Sequence, residues 1–152
     1  MNRPIYPLRK YHSRIHPEAS SCCPEKLGER FHSLLGSMRL AAVILDPRET
    51  IIYCNNYFLE VTGWKRDELL GKDWFSTIIP AELRLPLKVF NTTSLNNART
   101  SSSTTHEILT HNQQRRMFEW NNTTLLGSNG KPGGIVSIGI DITSHLQVEL
   151  NL

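Results

Sequence analysis

No apolar run in this chain approaches the roughly 20 residues that a helix needs to cross a bilayer, so no membrane contact is expected. The opening, "MNRPIYPLRKYHSRIHPEASSCC", lacks the apolar stretch of about 7–15 residues that marks a signal peptide, and the expected location is the cytoplasm. There the Asn-x-Thr sequences at Asn91, Asn121 and Asn122 carry no glycosylation meaning. Three cysteines, of which Cys22 and Cys23 are adjacent, do not make a disulfide framework. A Gly-rich phosphate loop, His-Glu-x-x-His and Gly-x-Ser-x-Gly are all missing, so no motif supports catalysis. Acid is absent from residues 1–16, which hold Arg3, Arg9, Lys10 and Arg14; these four cations more than account for the net charge of +3. The other residues together carry a net −1, so the folded part has no basic groove for phosphates and no nucleic-acid binding is expected.

What is present suits one soluble domain: 39% hydrophobic and 20% charged residues. Residues 1–23, with three prolines and no periodicity, read as a flexible basic arm. From Pro24 to Met38, Leu27, Phe31, Leu34, Leu35 and Met38 fall at helical spacing and predict an amphipathic helix. "LAAVILD" and "IIYC" flank a Pro47–Thr50 turn and predict a hairpin. Short helices follow in "YFLEVT", entered at Asn55–Asn56 and stopped by Gly63, and in "KRDELL", stopped by Gly71. Pro86 predicts a turn and a new helix near it, over about 86–97, which fades into "NTTSLNNARTSSSTT", a polar linker. "HEILTH", "RRMFEWNNTTLL" and "IVSIGIDI" predict three strands, joined at His111–Gln114 and at Asn129-Gly130. Helix, two strands, short helices and three strands argue for an α+β fold with an antiparallel sheet covered on one face.

Five pieces, in this order and spacing, resemble a PAS domain. They are the hairpin, Tyr53-Cys54-Asn55, Thr62-Gly63-Trp64, Glu68-Leu69-Leu70-Gly71 and the final Asp141-Ile142-Thr143. The "GKDWF" at Gly71–Phe75 is similar to PAS domains of bacterial signalling proteins, and the resemblance covers residues 36–143. It implies a five-stranded antiparallel sheet with short helices over one face, enclosing a small pocket. It divides the chain into arm (1–23), helix (24–38), PAS domain (39–143) and the start of an exit helix or tail (144–152). It also implies a non-catalytic sensory or dimerisation module. Its partners would be a second copy of the chain, a small apolar ligand, and an effector such as a histidine kinase, a cyclic-dinucleotide enzyme or a transcription regulator. The alternative is a haem- or flavin-bearing sensor of light, oxygen or redox state. Two departures disfavour it: no Asn-Cys-Arg-Phe-Leu-Gln motif is present, and the 86–97 helix has no histidine.

The resemblance marks Asn55, Phe58, Trp74, Phe75, Phe90, Phe118 and Trp120 as pocket candidates. Alternation along the strand puts Phe118 and Trp120 on one face, and core packing is the commoner fate for such aromatics. Asn55 is read first as a helix cap. Asp141 and Thr143 are the exit, Thr143 as a cap of the following helix. Leu27, Phe31, Leu34 and Leu35 form the dimer helix. His12, His16, Cys22 and Cys23 lack the usual zinc-knuckle spacing, and no metal is expected. His106, Glu107 and His111 lie beside a predicted turn, where exposed polar residues are the default. "SHLQVELNL" fits both a helix stripe and a strand alternation.

Overall fold

Short helices need their ends satisfied locally, and the chain supplies a cap at each break. In the computed structural model, which describes residues 24–96, 101–127 and 129–151, α1 spans Pro24–Ser37. The hairpin strands β1 (Ala41–Leu45) and β2 (Ile51–Cys54) follow it. Their loop closes on Asp46, whose Oδ1 accepts from the N–H of Arg48 (2.8 Å) and of Thr50 (2.9 Å). Asn55 caps α2 (Asn56–Thr62), which Gly63 ends in the left-handed region at φ 75°. Glu68 accepts from the Lys65 N–H at the start of α3 (Arg66–Leu69), and Asp73 accepts from the Ser76 N–H to begin α4 (Trp74–Ile78).

Two boundaries differ from the sequence reading. A 3-10 turn over Ala81–Leu83 runs directly into α5 (Arg84–Asn96), so this helix begins before Pro86. Pro86 is tolerated because it sits in the first turn, where backbone N–H groups have no intrahelical acceptor. The second difference is "SSSTT", read as linker. It is the first half of β3 (Ser101–Leu109), because its Ser and Thr residues pair in register with β4 (Arg115–Leu126), Ser101 opposite Thr123 and Thr105 opposite Glu119. β5 spans Pro132–Asp141, and α6 covers Thr143–Leu150, which resolves the ambiguous tail as helix.

The expected α+β fold is what forms: a five-stranded sheet in the order β2-β1-β5-β4-β3, with every neighbour antiparallel. First and last strands lie side by side, Ala41 opposite Gly139, so α1 and α6 leave from the same end of the sheet. Val43, Leu45, Ile108, Phe118 and Trp120 face the short helices and pack with Phe58, Leu69, Trp74, Phe75, Ile78 and Ile79 in one buried cluster. On the opposite face, α1 rests through buried Leu35 and through His32, whose ring meets Tyr53 at a centroid distance of 5.0 Å. Leu125, Ile140 and Ile52 stay exposed.

Candidate functional site

Between α4, α5 and the inner face of the sheet lies a cavity of about 30 Å³. Of the residues expected there, Trp74, Phe75 and Trp120 line it. Phe58 and Phe118 are buried beside it rather than on its wall. Phe118 stacks on Trp120 (centroids 5.2 Å apart), Trp74 meets Trp120 edge-on (5.8 Å), and Phe58 lies 6.3 Å from Trp120. Phe90 points away on the outer side of α5, 39% exposed. Asn55 is buried as a hub of the backbone. Its Oδ1 accepts from the N–H of Ala42 (3.0 Å) and of Phe58 (3.1 Å), and its Nδ2 donates to the Leu40 carbonyl (2.8 Å). Both polar atoms are bonded to backbone, Oδ1 twice and Nδ2 once, so Asn55 is a cap and a strut.

The sequence reading missed the polar part of the wall. Thr104, His106, Asn122 and Ser137 line the cavity from three adjacent strands, and Asn91 and Leu87 face it from α5. Ser137 Oγ donates to Asn122 Oδ1 (2.7 Å), and Asn122 Nδ2 donates to Thr104 Oγ1 (3.1 Å). This chain of bonds crosses β5, β4 and β3. Strand alternation was the available signal: Asn122 follows Trp120 by two residues, and Thr104 and His106 precede buried Ile108 at the same period. Burial pushes the His106 imidazole below its ordinary pKa, with a smaller opposing effect from a bond to the Glu107 carbonyl. His111, by contrast, is exposed, edge-on to Trp64 and 3.6 Å from Glu68.

Trp120 is 1% exposed, and its Nε1 has no hydrogen-bond partner; it is alone in this among buried side-chain polar atoms of the described residues. Gly139 opposite it is obligatory, since a Cβ there would fall 2.5 Å from the indole Cε3 and Cζ3. Cys54 is not on the cavity wall; burial raises its thiol pKa, with Arg66 opposing. A volume of about 30 Å³ has no room for a haem or flavin ring as it stands.

At the end of β5, Asp141 and Thr143 close a second polar cluster. Asp141 Oδ2 accepts from Arg116 Nε (2.6 Å), while its Oδ1 accepts from the N–H of Thr143 (3.0 Å) and from its hydroxyl (2.6 Å). Thr143 Oγ1 in turn accepts from the Met117 N–H (2.8 Å), and the Ile142 N–H donates to the Met117 carbonyl (2.9 Å). Thr143 is therefore not the cap of α6: Ile142 holds that position without a side-chain bond. The hydroxyl is occupied by β4, because the strand beside it presents an otherwise unpaired edge N–H.

On α1, Phe31 and Leu34 are exposed, at 55% and 54%, but Leu35 is buried. Adjacent helical residues point about 100° apart, so Leu35 on one edge of the apolar stripe is buried while Leu34 on the other edge is exposed. The Leu27 side chain and the set His12, His16, Cys22 and Cys23 lie outside the described residues. Among those described, no cluster of His, Cys, Asp and Glu with metal-holding geometry occurs, and no helix is long and apolar enough to cross a membrane.

A family profile described as "PAS fold" matches residues 35–146, more than half of the chain. The chain belongs to the PAS family. No curated protein sequence matches it. Among solved structures, it is similar to a PAS domain from Colwellia psychrerythraea (TM-score 0.60, 16% identity, covering 78% of this chain and 98% of that one). A sensory box histidine kinase/response regulator from Burkholderia thailandensis E264 is equally alike (TM-score 0.60, 18% identity, 79% and 89% covered). So is the Cronobacter turicensis RpfR quorum-sensing receptor PAS domain in complex with BDSF (TM-score 0.59, 24% identity, 69% and 95%). At these identities the likeness is one of fold. A PAS sensory domain is thus the frame in which the cavity and the Asp141 cluster stand.

Proposed function

We propose that this PAS domain reads a small ligand in the cavity behind Trp120, and passes the change to α6 through the Asp141–Thr143 cluster. The carrying observation is that one strand serves both sites. β4 contributes Trp120 and Asn122 to the cavity and, three residues before Trp120, the Met117 backbone that Thr143 grips. A displacement of β4 at the cavity changes the grip on the first residue of α6. The output is an effector domain or partner in the cytoplasm, of the kind carried by sensory histidine kinases, cyclic-dinucleotide enzymes or transcription regulators. A kinase and a quorum-sensing receptor among the solved structures of the same fold support that class of output.

The module also self-associates, through Phe31 and Leu34 of α1 together with Ile140 and Leu125 on the outer sheet face, all exposed and apolar. Hydrogen exchange and sedimentation test the two parts together. Asp141→Ala is expected to speed amide exchange in α6 at least ten-fold while leaving the strand amides around Trp120 protected. Phe31→Asp with Leu34→Asp is expected to convert a dimer to a monomer. Unchanged exchange in α6 would defeat the relay, and a wild-type chain that sediments as a monomer at high concentration would defeat the dimer.

A further inference from the structure

The polar part of the cavity has a readable pattern of donors and acceptors. The edge of the Trp120 ring that carries Cδ2, Cε3 and Cζ3 lies against Gly139. Nε1 is on the other edge of the ring, and its N–H is a fully buried donor without a partner on a residue that lines the cavity. His106 supplies the complement. Its Nδ1 lies 3.2 Å from the Glu107 carbonyl oxygen, which can only accept, so Nδ1 carries the proton and Nε2 of the neutral ring is an acceptor. Asn122 lies on the same wall. Its amide is held between the Ser137 and Thr104 hydroxyls, with Nδ2 donating to Thr104 and one Nδ2–H beyond these two bonds. No Lys, Arg, Asp or Glu lines the cavity. Lys88 does not line it; its Nζ stands over the Phe75 ring at 5.2 Å and pairs with Glu49 at 3.5 Å. A buried anion would therefore be left without a counter-charge, which is strongly unfavourable.

We infer that the cavity selects an uncharged ligand whose polar head both accepts and donates a hydrogen bond, such as a primary amide or lactam, and whose remainder is apolar, in preference to a carboxylate of the same shape. This rests on the reading of the domain as a ligand sensor and names the chemistry of what it senses. In it, the head accepts from Trp120 Nε1 and donates to His106 Nε2. The present volume of about 30 Å³ admits about one water, so an amide head requires the cavity to widen. The apolar remainder takes the place of the Leu87 side chain, half-buried on α5, so entry requires that helix to yield.

Octanamide and octanoate, matched in chain length, test the inference at pH 7.5 by titration calorimetry with the intact chain. Octanamide is expected to bind at least ten-fold more tightly than octanoate, and Trp120→Phe to weaken it about ten-fold by removing one donor. Should Trp120→Phe fold poorly, the indole N–H resonances of the three tryptophans give a second reading in the wild-type chain. The Trp120 signal moves downfield with octanamide, while that of Trp64, already bonded to the Leu109 carbonyl (3.1 Å), stays in place. Octanoate binding as tightly as octanamide would overturn the ligand class and leave the sensor reading standing. Binding of neither, to the wild type or to the enlarged Leu87→Ala cavity, would overturn both.

Discussion

Asn55 and Trp120 are buried almost equally, at 0% and 1% exposure, yet their polar atoms meet opposite circumstances. Asn55 makes three bonds to backbone and joins β1, α2 and the segment that leads out of α1. The Trp120 indole has large apolar contacts and an N–H that meets nothing. Burial alone thus separates neither structure from function; the state of the polar atoms does. A buried amide bonded to backbone at both its oxygen and its nitrogen is a strut, whereas a buried donor without a partner holds nothing in place.

The sharpest way to break this contrast is Asn55→Ala. It strands two backbone N–H groups and one carbonyl, and is expected to cost about 3 kcal/mol or more, read as a lower urea midpoint at unchanged slope. A loss under about 1 kcal/mol would show that water repairs the hub and that the strut description is wrong. A smaller effect is expected from His106, whose folded pKa lies below its ordinary 6.5. As pH falls through about 6.5, the unfolded chain takes up a proton that the folded chain resists, so stability falls with pH in that window and is fully present above it. His106→Gln should flatten the difference between urea midpoints at pH 5 and pH 7.5; an unaltered slope would assign it to another group. Trp120→Phe should be the mildest. It trades lost ring volume against removal of an unsatisfied donor, and a change within about 1 kcal/mol of either sign is expected in the same urea series. A loss as large as that of Asn55→Ala would mean that Nε1 has a structural partner after all.

What the sequence disclosed followed from local rules. Asn55, Gly63 and Gly71 mark helix ends because caps act within a few residues, and the period of two in "RRMFEW" correctly buried Phe118 and Trp120 together. What it hid depends on distant partners. "SSSTT" has a linker's composition and becomes strand only because β4 lies in register beside it. With that stretch taken for loop, Thr104 could not be placed on the cavity wall, and His106 looked like a turn residue. Thr143 reads as a cap until the Met117 N–H, 26 residues earlier, claims its oxygen. Phe90 and Leu35 were assigned the wrong surroundings for a simpler reason: apolar residues lie on more than one side of α5, and the single stripe of α1 is wide enough for one edge to be buried while the other stays exposed.

The adjacency of β1 and β5 has a mechanical consequence. Ladder bonds lie across the strands, and α1 and α6 leave from the same end of that pair, so separating the two helices loads the bonds one rung at a time. The terminal rung runs Ala41, Gly139, Trp120, Thr104 straight across the sheet. A tug between the helices meets little resistance at first and is felt immediately at the indole.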